Sequence, residues 1–203
     1  MRMTFEDYMD EIWNVDTAFI GVDLQNDFGH KKGSLYVEGG EDLVAVINQV
    51  VCEFSEGLVF WTKDAHPKEH CSFVEQGGPW PIHCVKGKWG YNFMRGLDIQ
   101  KEIDIVILKG EDADVDSYSA FFDNEKKKET GLNKILVEEE VKKLFIIGLA
   151  TDVCVLSTVI DAIELGYEVS VYLPGCRGVG SQEDIDASIK KMEDNGAIMI
   201  EDE

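Results

Sequence analysis
Asp23, Lys109 and Cys154 are residue types that together make a reaction: a carboxylate to carry a proton, an ammonium to hold negative charge, and a thiol to attack an electron-poor carbon. Each follows a short apolar run, in IGVDLQNDF, VILKG and GLATDVC. Taken singly, each has a plainer reading. An Asp after a strand commonly binds backbone N–H groups of a turn, a Lys at a strand end snorkels to water, and a Cys near a helix start is more often packing than nucleophile. Asp64, in FWTKDAHP, is a fourth polar residue in the same kind of position. Convergence of the four at one edge would turn them into a site. Cys154 would then open a helix, whose free N–H groups lower a thiol pKa and can hold an oxyanion.

A second cluster surrounds Asp64. Three of the four histidines, His66, His70 and His83, fall between positions 66 and 83. Carboxylate with neutral imidazole is a ligand set for zinc, iron or manganese, although histidines in a polar loop are usually surface groups. Phe28, Trp80 and Tyr118 lie in loops near the same edge and could wall a flat ring or simply cover the core. PGCRGVG (174–180) lacks the GxGxxG spacing and no GxxxxGK[ST] occurs, so nucleotide binding finds no support.

The elements that must position these residues are strands alternating with helices. Apolar runs at Thr17–Val22, Leu58–Thr62, Ile103–Leu108, Leu144–Leu149, Glu168–Leu173 and Ala197–Ile200 read as strands buried on both faces. Helical spacing marks Asp42–Phe54, Val153–Leu165 and Glu183–Met192. The expected fold is α/β, a mostly parallel sheet covered on both faces. Such sheets bind ligands beyond the carboxyl ends of their strands, the edge where all four polar residues fall. The stretch Asp64–Leu97 is irregular and rich in Gly, Pro, His and Trp, and a loop of that length is usually functional. Gly110–Glu129 is a second irregular piece, with an exposed-looking NEKKKE segment. A short N-terminal helix at about 4–13, capped by Thr4, presents Phe5, Tyr8, Met9 and Ile12 on one face for packing.

The 203 residues suit one domain, 1–203. With 40 acidic against 19 basic residues the net charge is −21. Such a surface repels phosphate backbones, which disfavours nucleic-acid and anionic-membrane partners while leaving a small neutral substrate unaffected. No apolar run approaches the roughly 18 residues needed to cross a bilayer, and the acidic, amphipathic N-terminus is no secretory signal. The expected location is cytoplasmic. Five cysteines without a CxxC pair read as reduced thiols, not as a disulfide framework.

These segments resemble the nicotinamidase branch of the isochorismatase-like cysteine hydrolases. The matching pieces are DLQNDF (23–28), KDAHP with HCSF (63–73), WPIHC (80–84), KG (109–110), DSYSAF (116–121), GLATDVCV (148–155) and CRGV (176–179), in family order along nearly the whole chain. The resemblance implies a three-layer α/β/α fold with a six-stranded, mostly parallel sheet and a catalytic triad of Asp23, Lys109 and Cys154. It implies a divalent metal, zinc first with iron or manganese as alternatives, on Asp64, His66 and His83, with the role of His70 open. Phe28 and Trp80 match residues that pack on a pyridine ring, and Tyr118 falls in a matching loop. Leu149–Ala150 matches a peptide bond that is cis in the family, which would aim the Ala150 N–H, with that of Cys154, at the oxyanion. The implied substrate is nicotinamide, hydrolysed through a Cys thioester to nicotinate and ammonia for NAD salvage. The acidic GEDADVD loop and the KKKE segment depart from the family pattern, which leaves rim contacts open. A homo-oligomer is also open.

Two rival readings remain. One is a sister hydrolase acting on another carboxamide or a ureido compound, for which WPIHC and the D-x-H pair would be superfluous. The other is a non-enzymatic metal or thiol sensor on the same scaffold, against which retention of all three triad positions weighs.

Overall fold
The computed structural model describes residues 1–54, 57–100 and 102–202. Chain order is β1 (Arg2–Thr4), α1 (Phe5–Glu11), β2 (Thr17–Val22), α2 (Asn26–Gly29), α3 (Leu43–Val51), β3 (Leu58–Asp64), β4 (Ile105–Lys109), α4 (Leu132–Glu138), β5 (Lys143–Leu149), α5 (Leu156–Glu164), β6 (Glu168–Arg177), α6 (Gln182–Asp194) and β7 (Ile198–Glu201). The strands form one sheet in the order β1-β7-β6-β5-β2-β3-β4, every pair parallel. Among the described residues no helix is long and apolar enough to cross a membrane.

The α/β expectation holds, with one correction: the sheet has seven strands, not six. The added strand is β1, whose Arg2, Met3 and Thr4 pair with Met199, Ile200 and Glu201. Three residues at a sheet edge carry too little alternation to register as a strand, and backbone pairing alone places them there. Thr4 then caps α1 by accepting the Asp7 N–H at 3.1 Å, and the expected face buries Tyr8 and lays Phe5 on Phe145. The short α4 was not anticipated; it buries Leu132 and Leu136.

The sheet interior is apolar, as a parallel sheet covered on both faces requires. Every residue of β2 is buried, and so are all of β5 after Lys143. Phe19, Phe54, Phe60, Trp61 and Phe145 fill the centre. Where β2 meets β5, Gly148 has φ +131°, and a Cβ there would lie 2.2 Å from the Val22 carbonyl oxygen. Only glycine allows that approach, which sets the end of β5 and the Cys154 turn directly against the end of β2.

Candidate active site
The carboxyl ends of β2, β3, β4 and β5 bring Asp23, Asp64, Lys109 and Cys154 together, as the sequence pattern requires. Asp64 and Lys109 are the last residues of β3 and β4, as the strand-end reading places them, and are paired register partners. The Lys109 Nζ is 2.5 Å from Asp64 Oδ1, 2.8 Å from the Ser117 carbonyl oxygen, 2.9 Å from Asp23 Oδ2 and 3.6 Å from Cys154 Sγ. One ammonium therefore touches every chemically active group at this edge. Burial opposes its charge, but Asp23 and Asp64 outweigh that and raise its pKa well above the usual lysine range. It does not snorkel; it is the centre of the cluster.

Asp23 sits at φ +49°, a left-handed conformation that a short polar side chain tolerates best. The Thr62 hydroxyl donates to Asp23 Oδ1 at 2.6 Å and in turn accepts the Asp23 N–H at 3.0 Å. Oδ2 is buried, takes no hydrogen bond and faces Lys109 through charge alone, so it keeps a lone pair for a proton. Burial pushes the Asp23 carboxyl up to about 6, with Lys109 opposing and Asp64 adding. Asp64 goes the other way: burial opposes its ionisation, but Lys109 and the neighbouring histidines hold it well below the usual carboxylate range.

Cys154 lies in a π-helical turn, Thr151–Val155, that precedes α5 and follows a cis Leu149–Ala150 bond. Asp152 anchors the turn by accepting the Val179 and Gly180 N–H groups at 2.9 and 2.7 Å. The expected lowering of the thiol pKa is not what the site produces. Burial pushes the Cys154 thiol well up, Lys109 opposes, and Asp23 and Asp64 add to the rise. Burial together with the two carboxylates outweighs the ammonium, so Cys154 rests as a thiol beside a carboxylate, not as a standing thiolate.

The metal-type cluster also forms. Asp64, His66 and His83 place their ligand atoms within 4.8 Å of one another. His66 Nδ1 lies 2.8 Å from the Gly110 carbonyl and His83 Nδ1 2.8 Å from that of Pro81. A carbonyl only accepts, so each Nδ1 donates and each Nε2 presents a lone pair. These two Nε2 atoms face each other at 3.2 Å, with Asp64 Oδ2 3.5 and 3.9 Å away. Three acceptors converging on one point are the arrangement a cation holds together. His70 stacks on His66 at 3.9 Å, and its Nδ1 accepts the Ser72 N–H at 3.3 Å. Nδ1 also lies 2.7 Å from the Ser72 hydroxyl, while Nε2 has no partner and lies 3.9 Å from Asp116 Oδ1.

Between the two clusters opens a pocket of about 410 Å³ including its mouth. Phe28, Trp80 and Tyr118 all line it with Cys154, Asp64 and His83, and Trp80 Nε1–H donates to the Tyr118 hydroxyl at 3.1 Å. Sequence reasoning missed Asp116, which lines this pocket, and Thr62. It also missed the rest of DLQNDF as the clamp on the long 64–97 loop. Gln25 donates to the Asp64 and Tyr91 carbonyls at 2.9 Å each and accepts the Asp64 N–H at 2.8 Å. Asn26 donates to the Trp89 carbonyl at 3.0 Å, and Asp27 accepts the Cys84 N–H at 2.7 Å. The available signal was three consecutive polar residues after a strand with no turn-forming glycine or proline among them.

Known proteins share this fold. A family model described as the isochorismatase domain matches residues 17–203. The nicotinamidase of Escherichia coli K12 is 42% identical over 182 residues, covering 81% of this chain and 84% of that one. Among solved structures, PnC1 from L. infantum in complex with nicotinate superposes with a TM-score of 0.88 at 34% identity, covering 99% of this chain and 96% of that one. The pyrazinamidase of Pyrococcus horikoshii in complex with zinc gives 0.84 at 34% identity, covering 92% and 99%. On this match in sequence, fold and length, the chain belongs to the isochorismatase-domain family.

Proposed function
We propose that the protein is a nicotinamidase that hydrolyses nicotinamide to nicotinate and ammonia through a thioester on Cys154. The observation that carries this is Lys109 Nζ, within 3.6 Å of Asp23, Asp64 and Cys154 at once, buried behind Asp64 and Cys154, which line a pocket walled by Phe28, Trp80 and Tyr118. A carboxamide laid against Cys154 would have its ring between aromatic walls and its reacting carbon beside a base. The nicotinamidases in E. coli and elsewhere are similar along most of their length, which supports that substrate over a ureido compound.

Asp23 Oδ2 takes the Cys154 thiol proton as the sulfur attacks the carboxamide carbon. Lys109 offsets the charge that gathers on the sulfur and the carboxylate. The Ala150 and Cys154 N–H groups receive the oxyanion. Asp23 then returns its proton to the nitrogen, the C–N bond breaks, and ammonia leaves. Water attacks the thioester while Asp23 accepts its proton; the C–S bond breaks, and nicotinate and the thiol are released. Asp64, His66 and His83 would hold a divalent ion, zinc by its donor set of two imidazoles and one carboxylate. That ion would supply Lewis acidity and a fixed positive charge beside the ring pocket. Incubating the purified protein with nicotinamide tests the reading: ammonia and nicotinate should appear in equal amounts, and their absence from zinc-loaded protein would refute it.

A further inference from the structure
We propose that Asp116 makes the pocket discriminate between the neutral carboxamide and the carboxylate it becomes, so that this side chain sets the affinity for the acid product. The inference rests on the nicotinamidase reading and adds to it a residue outside the triad and the Asp64, His66 and His83 group, one whose ligand atom lies within 4.8 Å of those of His66 and His70.

Asp116 lines the same pocket as Cys154, Ala150 and Tyr118, and its side chain is only 13% exposed. The other carboxylates at this edge are offset. Asp23 faces Lys109 at 2.9 Å, and Asp64 faces it at 2.5 Å with two imidazoles beyond. Among the described residues Asp116 has no Lys or Arg partner, and its nearest basic atom is His70 Nε2 at 3.9 Å. What aims the Asp116 carboxylate is the Ser117 N–H, which donates to Oδ1 at 2.8 Å. Among the described residues, Asp116 is thus a carboxylate on the pocket wall that no Lys or Arg side chain pairs.

The reaction changes the charge of what the pocket contains. Nicotinamide enters neutral, a C–N bond is exchanged for a C–O bond, ammonia departs, and the remaining ring bears a carboxylate. A fixed negative wall is indifferent to the first and repels the second. Across roughly 7–10 Å at an effective dielectric of about 20, a pair of like charges weakens binding roughly ten- to fifty-fold. That repulsion falls on the product alone, so it speeds release without weakening substrate binding, and it keeps other aromatic acids out.

The test compares zinc-loaded wild type with Asp116→Asn, Asp116→Ser and Asp116→Glu. Nicotinate affinity is measured by calorimetry, and nicotinamide KM and kcat by ammonia release with nicotinate as inhibitor. Asn keeps the oxygen that accepts the Ser117 N–H, and Ser gives a second neutral variant should Asn fold poorly. The expected result is nicotinate binding about tenfold or more tighter in both neutral variants, nicotinamide KM within about threefold of wild type, and wild-type values in Asp116→Glu. Unchanged or weaker nicotinate binding in the neutral variants overturns the inference. So does equal tightening of acid and amide, which would mark an effect of shape. Wild-type protein that releases no ammonia defeats the nicotinamidase reading instead.

Discussion
Removing the Asp27 carboxylate should weaken metal binding although Asp27 is no ligand. Its Oδ2 accepts the Cys84 N–H at 2.7 Å and its Oδ1 the Ser34 N–H at 3.2 Å. Cys84 is buried, next to His83, and held at φ +47°, a left-handed conformation that costs a residue with a Cβ roughly 1–2 kcal/mol. The packing around the carboxylate is tight, since a Cβ on Gly90 would lie 1.8 Å from Asp27 Oδ2. In Asp27→Ala the Cys84 N–H loses its acceptor in a closed space, a cost of about 1–3 kcal/mol if the turn stays where it is. The turn can avoid that cost only by rotating, which carries the His83 imidazole away from His66 and Asp64. Where the metal-free turn rotates, restoring the loaded geometry costs about 1–3 kcal/mol, which at 1.4 kcal/mol per decade is roughly a ten- to hundredfold loss of zinc affinity. Chelator competition with a chromophoric zinc indicator measures it, and the far-UV spectrum and melting temperature of the metal-free variant report the fold. Excess zinc should restore turnover. Zinc affinity equal to wild type, with only a lower melting temperature, would refute the reasoning and leave Asp27 a brace for the loop.

The chemistry makes three further expectations. Cys154→Ala should lose at least roughly 10⁴-fold in ammonia release while folding normally, whereas Cys52→Ala, Cys71→Ala and Cys176→Ala stay near wild type; substantial turnover without the Cys154 sulfur defeats the thioester route. Because Asp23 is raised to about 6 and must be ionised to take the thiol proton, kcat/KM should fall about tenfold per pH unit below pH 6 and level off above it, and Asp23→Asn should abolish that limb along with most of the activity. An acid limb near pH 4 would show that Asp23 is not the base. Benzamide keeps the ring and the carboxamide but lacks the ring nitrogen, so zinc-loaded protein should process it about 10²-fold less efficiently or worse if the ion orients the ring; equal efficiency on the two amides would rule that out.

The parts of this protein that follow from local rules were legible without coordinates. Apolar runs of four to six residues read as buried strands, and their alternation with helical spacing leaves a parallel sheet as the consistent solution. In that topology the residue at each strand's carboxyl end is delivered to one edge, so Asp23, Asp64, Lys109 and Cys154 could be brought together on paper. Whatever depends on distance or on summed charge was not available there. That Lys109 is shared by two carboxylates, and that burial with those carboxylates raises the Cys154 thiol, follows from the packing of these groups around one ammonium. The His66 and His83 tautomers were set by carbonyls at Gly110 and Pro81 that only the folded loop supplies. Gln25, Asn26 and Asp27 carry no periodicity, and their task as a clamp exists only because the 64–97 loop folds back over them. The same holds for Asp116. In sequence it is one acid in an acidic loop; in the fold it is the one on the pocket wall, because burial and the Ser117 N–H point it where its neighbours do not go.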